Sequence, residues 1–468
     1  MSYQVPQHIS KDKVFIVNRS SIDNRLDAQY YSANLDLTGF VKLSSVAIVK
    51  GGKRIPKGYG YSDEVTPYHY LRVADMDSDA QVDVNKLMNI SEEVFNILGR
   101  YEIIEGELAI SIAGTIGKTT ILKNIPTDKR VILTENSAKI LAKSNIELLP
   151  EYLRICLGLP IVKKQLDLNY IQTTIPKLGL DKIVSIKIPP IPSIQRQQEI
   201  VEYINTAYAQ KRAKEAEAQQ LLNSIDGYLL KELGIIIPTI KTDLNSRMFV
   251  VQKKELKGRY TPSLYKDAVT LYSTIYDNVP LSHLAYINPN TRIPNQNKEM
   301  PISFVPMESV NEIYAEITEH KDCFTEESKG FTRFQERDLL WAKITPCMEN
   351  GKSAIAEGLI NGYGCGSTEF HVIRSKSENL LIEYIHSLLH MKIVRQTAKL
   401  YFGGSAGQQR VAIDFLENFN VPFPLKIKQQ EIVDYIANVR ARAKVLQEEG
   451  KTILEKAKYQ VEKMIIEK

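Results

Sequence analysis

The phrase Gln197-Gln198-Glu199-Ile200-Val201-Glu202-Tyr203-Ile204 returns 232 residues later as Gln429-Gln430-Glu431-Ile432-Val433-Asp434-Tyr435-Ile436. Each copy follows a Pro-x-Pro sequence and leads into a long charged segment. Other pairs keep nearly the same register: Arg25 to Tyr31 with Arg259 to Tyr265, Gly106 to Ile110 with Arg337 to Trp341, Thr134-Glu135 with Thr368-Glu369, and Leu148 to Tyr152 with Leu380 to Tyr384. Chance would not hold one register over so long a stretch. The chain is therefore a tandem duplication of one unit, mixed strand and helix followed by a long helix. Two such copies offer two equivalent working surfaces related by pseudo-symmetry, which suits a target in two parts. Between the anchors the copies diverge: Lys53 to Tyr61 has no close partner near Thr291 to Glu299. A shared frame with different loops describes one scaffold carrying two recognition surfaces.

The 468 residues exceed one ordinary core, so several domains are expected. Hydrophobic content of 43% and a mean hydropathy of −0.22 are those of a soluble globular protein. No run of eighteen apolar residues marks a membrane span, and Met1 to Lys13 has no apolar signal core, so a cytoplasmic chain is expected. The net charge of +5 permits polyanion binding without requiring it. Cys156, Cys323, Cys347 and Cys365 form no Cys-x-x-Cys pair and fit a reducing compartment. His386 and His390 stand at a ligand spacing on a helix but lack the acid of His-Glu-x-x-His, so a packing or surface role is expected and no metal.

The segments Leu108 to Ile112 and Val131 to Leu133 read as strands, Glu151 to Leu166 and Glu383 to Leu400 as helices, and Ile183 to Ile188 and Phe419 to Val421 as final strands. Ser193 is a candidate N-cap for the first long helix and Gly234 its C-terminal stop. Along it Val201, Ile204, Tyr208, Lys211, Glu215, Ala218, Leu222, Ile225 and Leu229 alternate at spacings of three and four, a heptad seam. The second helix repeats the frame with Val433, Ile436, Arg440, Ala443, Gln447, Gly450, Leu454, Ala457, Val461 and Met464. Gly450 is expected to mark a close approach or a kink. Two helices sharing a frame can cover each other's stripe as an antiparallel pair, a rod of roughly 60 Å. The expected fold class is α+β: two tandem pseudo-symmetric globular α/β domains, at 1–192 and 236–425, separated by two long helices, at 193–235 and 426–468, that form an antiparallel coiled coil.

Motifs for chemistry fail one by one. Gly114 to Thr119 invites a phosphate loop, but Ile112 stands where that loop needs a glycine, and Pro346 stands there in the second copy. A tight turn presenting Lys118, or Lys352 in the second copy, could instead meet a DNA phosphate. Phe402 to Gly407 does not open a dinucleotide-type unit, and no Asn-Pro-Pro-Tyr holds a flipped base. Polar loops remain. Lys53, Arg54, Lys57 and Tyr59 lie in a basic, aromatic stretch shaped by glycine and proline. Gln408, Gln409 and Arg410 follow the glycine-rich turn of the second copy, with Gln172 and Lys177 in the corresponding place in the first. Arg292 and Lys343 complete the candidate DNA-binding set. Glutamine, arginine and lysine can reach base edges, although each of these positions also reads as a solvated loop side chain.

The doubled Pro-x-Pro and Gln-Gln-Glu-Ile-Val openings, with Arg25 to Tyr31, the Gly114 to Lys118 turn and Gly403 to Gln409, resemble the specificity subunit of type I restriction-modification systems. Departures are Thr173-Thr174-Ile175-Pro176, where a glycine-rich turn is usual, and Thr261 in place of aspartate. The resemblance implies that each globular domain is a target recognition domain reading half of a split site in double-stranded DNA. It implies that the two helices space these domains and dock methyltransferase subunits, two of them, which recruit the restriction/translocase subunits. It implies a chain with no catalytic residues, no cofactor and no membrane contact. Two other classes stay open: a DNA-modifying enzyme with an unrecognised site, and a non-specific DNA-binding or coiled-coil scaffold.

Overall fold

The computed structural model describes residues 28–33, 35–76, 82–169, 176–237, 271–293, 299–404 and 408–467, with a few isolated positions besides. Arg25, Gln172 and the stretch 259–265 lie outside the described residues. The chain divides into two compact units: unit 1 is residues 1–212 with 450–468, and unit 2 is residues 213–449.

In unit 1 the run Leu108–Ser111 is buried on both faces. Leu108 and Ile110 face a helical core with Tyr152, Leu153 and Cys156, while Ala109 faces Leu71, Val131 and Leu133. Period-two alternation thus sorts one apolar run into two layers. The strand is central in an antiparallel sheet of order Ala47–Gly51, Ser137–Ala142, Leu108–Ser111, Thr119–Ile121. Behind it lies a second sheet of order Met88–Asn89, Tyr68–Leu71, Arg130–Leu133, Glu102–Ile103, whose middle pair is parallel.

Unit 2 repeats this topology. Its first sheet has the order Ala285–Ile287, Phe370–Ser375, Leu339–Ala342, Ser353–Ile355. Its second has the order Lys321–Phe324, Pro301–Val305, Tyr363–Gly366, Thr332–Gln335, again with a parallel middle pair. Leu339 and Trp341 face the helical core, and Leu340 faces Val305 and Phe334.

Three expectations are corrected. The helices expected over 151–166 and 383–400 are each split in two, into Pro150–Gly158 and Pro160–Asp167, and into Ile382–His390 and Lys392–Lys399. Pro160 forces Leu159 out of the helical region, to φ −62° and ψ 140°. Met391 adopts nearly the same conformation with no proline after it; there the Lys392 N–H donates to Asp226 of the first long helix at 2.9 Å. Ile183 belongs to a short helix, Leu180–Ser185, so the final strand is only Lys187–Ile188, and its counterpart is Asn420–Pro422.

The long helices span Ile194–Glu232 and Lys426–Ile466. Ser193 Oγ accepts from the Arg196 N–H at 3.4 Å. Gly234, at φ +58°, ends the first helix with Ile235 N–H bonded to Leu230 O and Gly234 N–H to Lys231 O, a Schellman stop. The second helix runs unbroken through Gly450, which is buried. In unit 1 the opening of the first helix (Ile200, Ile204, Tyr208) shares a core with the end of the second (Leu454, Ala457, Val461), with Val201 at its edge. In unit 2 the end of the first (Ile225, Leu229) meets the opening of the second (Ile432, Val433, Ile436). Ala218 and Leu222 pack with Ala443 and Leu446. Both arrangements are antiparallel, as the seams require. None of the described helices is long and apolar enough to cross a membrane.

His386 and His390 occupy positions filled by Arg154 and Gly158 in unit 1. His386 lies 3.0 Å from Ser353 Oγ, and His390 is 3.1 Å from the Glu312 carbonyl. Burial, reinforced by Arg440 and for His390 by Arg395, pushes both rings down, His390 to about 3. A depressed imidazole binds fewer protons folded than unfolded. Its stabilisation is present above the unfolded value near 6.5 and is lost as pH falls below it, by about 1.4 kcal/mol per pH unit per histidine. Urea midpoints measured between pH 7 and 5 should therefore fall, and His386→Gln with His390→Gln should flatten that fall. An equal slope in the double variant would exonerate the pair.

Candidate nucleic-acid interface

The basic loop of unit 1 is built on a close backbone approach. Gly52 donates to Ser137 O at 2.9 Å, and a Cβ there would lie 2.1 Å from Thr134 O. Only glycine allows the chain to cross so near. Lys53 N–H then donates to Leu133 O at 3.0 Å, and the Tyr70 hydroxyl donates to Lys53 O at 2.7 Å. Burial pushes Tyr70 up to about 12, so it remains a donor. Farther on, Tyr59 donates to Glu93 at 2.5 Å, and the Arg72 guanidinium sits 6.0 Å over the Tyr61 ring. The loop is held at several points, and its Lys53 and Lys57 side chains face solvent.

Arg54 is held differently. Its Nε donates to Glu135 Oε1 at 2.6 Å. Glu135 Oε2 accepts from Thr134 Oγ1 at 2.9 Å and lies 3.2 Å from the Tyr70 hydroxyl. Burial opposes ionisation of Glu135, but hydrogen bonds led by Arg54 outweigh it and hold the carboxyl below its ordinary value.

Unit 2 keeps the acid and changes the arginine. Glu369, the counterpart of Glu135, takes both Nε and one amino group of Arg410 at 2.8 and 2.7 Å. The other amino group of Arg410 donates to Gln408 O at 2.9 Å. The Arg410 hydrogen bond lowers the Glu369 carboxyl. Lys343 lies in the same cluster; burial lowers it against the pull of Glu369. The Gln409 carbonyl accepts from Thr345 N–H at 3.0 Å. Lys343 also lines a cavity of about 290 Å³ with Asn288, Asn290, Thr291 and Arg333. Arg292 is exposed in the loop that follows strand Ala285–Ile287.

Other candidates are placed apart from these clusters. Lys118 follows the turn in which its N–H donates to Ser111 Oγ at 2.9 Å. It lines a cavity of about 730 Å³ with Arg154, Lys163, Tyr208 and Lys458. Lys352 points inward, donating to Met307 O at 3.1 Å and lying 3.6 Å from Glu312. Lys177 forms an isolated antiparallel bridge with Ala113. Sequence reasoning passed over Glu135 and Glu369 as site residues, although their retention between diverging loops was visible as the Thr-Glu repeat. It also passed over Tyr70, which nothing in the local sequence marks. Among the described residues no group of three or more His, Cys, Asp or Glu side chains could hold a metal.

Residues 36–223 and 276–455 match the family described as the type I restriction modification DNA specificity domain. The chain is 37% identical over 191 residues to the type I restriction enzyme EcoEI specificity subunit of Escherichia coli, across 40% of this chain and 31% of that protein. It is 35% identical over 192 residues to the EcoAI specificity subunit of the same organism, with the same shares covered. The match thus spans less than a third of the length of these curated relatives. A solved chain from work on complex assembly and conformational transition of the type I R-M system has a TM-score of 0.50 at 14% identity, over 91% of this chain and 96% of that one. That likeness is one of fold.

Proposed function

The chain belongs to the type I restriction-modification DNA specificity family, and on that premise we propose that it is the DNA-reading component of a type I restriction-modification complex. In this reading residues 1–192 and 236–425 are target recognition domains, each reading one half of a split site in double-stranded DNA. The observation that carries the reading is the doubled family match laid over a doubled sheet topology, in which the loops differ. The equivalent acids Glu135 and Glu369 hold arginines from different places in the sequence, as two readers of different bases would need.

The long helices, shared between the two units, set the number of unread base pairs between the half-sites and dock methyltransferase subunits. Methyl transfer and cleavage are then the work of those partners and of a restriction/translocase subunit they recruit. Modularity tests the proposal. Exchanging residues 1–192 for the matching segment of a relative should replace one half of the methylated motif and leave the other intact, as read by methylome sequencing of cells that also carry the methyltransferase chain. A change in both halves, or in neither, would refute two independent readers.

A further inference from the structure

Arg54 combines features that a solvated surface arginine lacks. The backbone leading into it is fixed through Lys53 N–H and Lys53 O. Its Nε is taken by Glu135, whose second oxygen has its own donors. Yet the side chain is 78% exposed. The contact restrains the guanidinium along its Nε edge and leaves the two amino groups for a partner outside the protein. In unit 2 the equivalent acid closes on Arg410 through Nε and one amino group, and the other amino group donates to the Gln408 carbonyl, so each nitrogen of that guanidinium has a protein partner although the side chain is 42% exposed.

We propose that Arg54, braced by Glu135, is a specificity-determining residue that reads a guanine in the half-site served by unit 1. This rests on the DNA-reading function proposed above. The outer edge of a guanidinium held through Nε offers two parallel donors. Guanine presents two adjacent acceptors, O6 and N7, in the major groove, a pattern no other base shows there. A DNA phosphate also offers two acceptors, but a carboxylate 2.6 Å from the guanidinium cancels most of the attraction to a phosphate and repels it directly. A neutral base edge carries no such penalty. Lys53 and Lys57, exposed on the same loop, are the groups suited to the backbone.

The test uses the whole chain with its methyltransferase partner in cells. The methylated motif is determined for the wild type, Arg54→Gln and Glu135→Ala. The wild type should methylate a two-part motif with a guanine in the unit 1 half, assigned to that half by the exchange of residues 1–192. Arg54→Gln should relax that one position or shift it toward adenine, lowering discrimination there roughly 5- to 150-fold. Glu135→Ala should relax the same position with less loss, and the other half should stay unchanged. An unaltered motif in Arg54→Gln would overturn the proposal. So would a salt titration of the purified complex on a panel of duplexes in which Arg54→Gln weakens binding of all sequences uniformly and reduces the slope by about 0.9, the mark of a phosphate contact. A wild type without any sequence-specific methylation would fail the DNA-reading function itself, a different result from either.

Discussion

Replacing Gln429 with leucine should cost about 3–5 kcal/mol, a large part of the 5–15 kcal/mol by which a folded domain is ordinarily stable. Gln429 is fully buried in the first turn of the second long helix. Its Oε1 accepts from Leu381 N–H at 2.9 Å, and its Nε2 donates to Asn379 O at 3.0 Å and Pro424 O at 2.9 Å. One amide thus joins the helix, the strand exit before it and the loop that starts helix Ile382–His390. Leucine fills the same volume but leaves three backbone groups without partners. Gln197 makes the same three contacts in unit 1, with Leu149 N–H, Glu147 O and Pro192 O at 2.9, 2.8 and 2.9 Å. Gln197→Leu should therefore behave alike. The neighbouring Gln198 and Gln430 are exposed, so their alanine variants should change stability by less than about 0.5 kcal/mol. Urea denaturation of the four variants separates the cases; four equal midpoints would mean that the clamp is not what the doubled motif preserves.

Leu454→Asp should be of similar size. Leu454 is 5% exposed and shares a core with Ile200, Ile204, Ala457 and Val461. Losing that burial costs about 1.5–3 kcal/mol. The new carboxyl must also either stay charged in an apolar seam or take up a proton, adding a further ~1–3 kcal/mol. Leu454→Met keeps volume and polarity and should stay within about 1.5 kcal/mol of the wild type. Residues 450–466 are the part of the second helix that belongs to unit 1, so limited proteolysis of the aspartate variant should release that end and attack the exposed opening of the first helix. A variant as resistant as the wild type would show that the seam contributes little to unit 1.

The sequence alone determined the duplication, the two long helices and the direction of their pairing. Those features are periodic and repeat within one turn or one register, so each residue's neighbours are known from its number. Leu454 could be assigned to the seam for that reason. The break at Leu159 was also legible in principle, since Pro160 acts on its immediate neighbour. Tertiary structure decided the rest. The matching break at Met391 has no local cause, and its helix start is met by Asp226, 166 residues away in the chain. Which glutamine of each Gln-Gln pair is buried depends on where the helix opening rests against the preceding segment. Arg54 and Glu135 are 81 residues apart, and Arg410 and Glu369 are 41. Both acids follow strands, and only the stacking of one sheet edge against the next brings a particular arginine within reach. A side chain's partner across such a distance is fixed by packing, which residue order by itself does not encode locally.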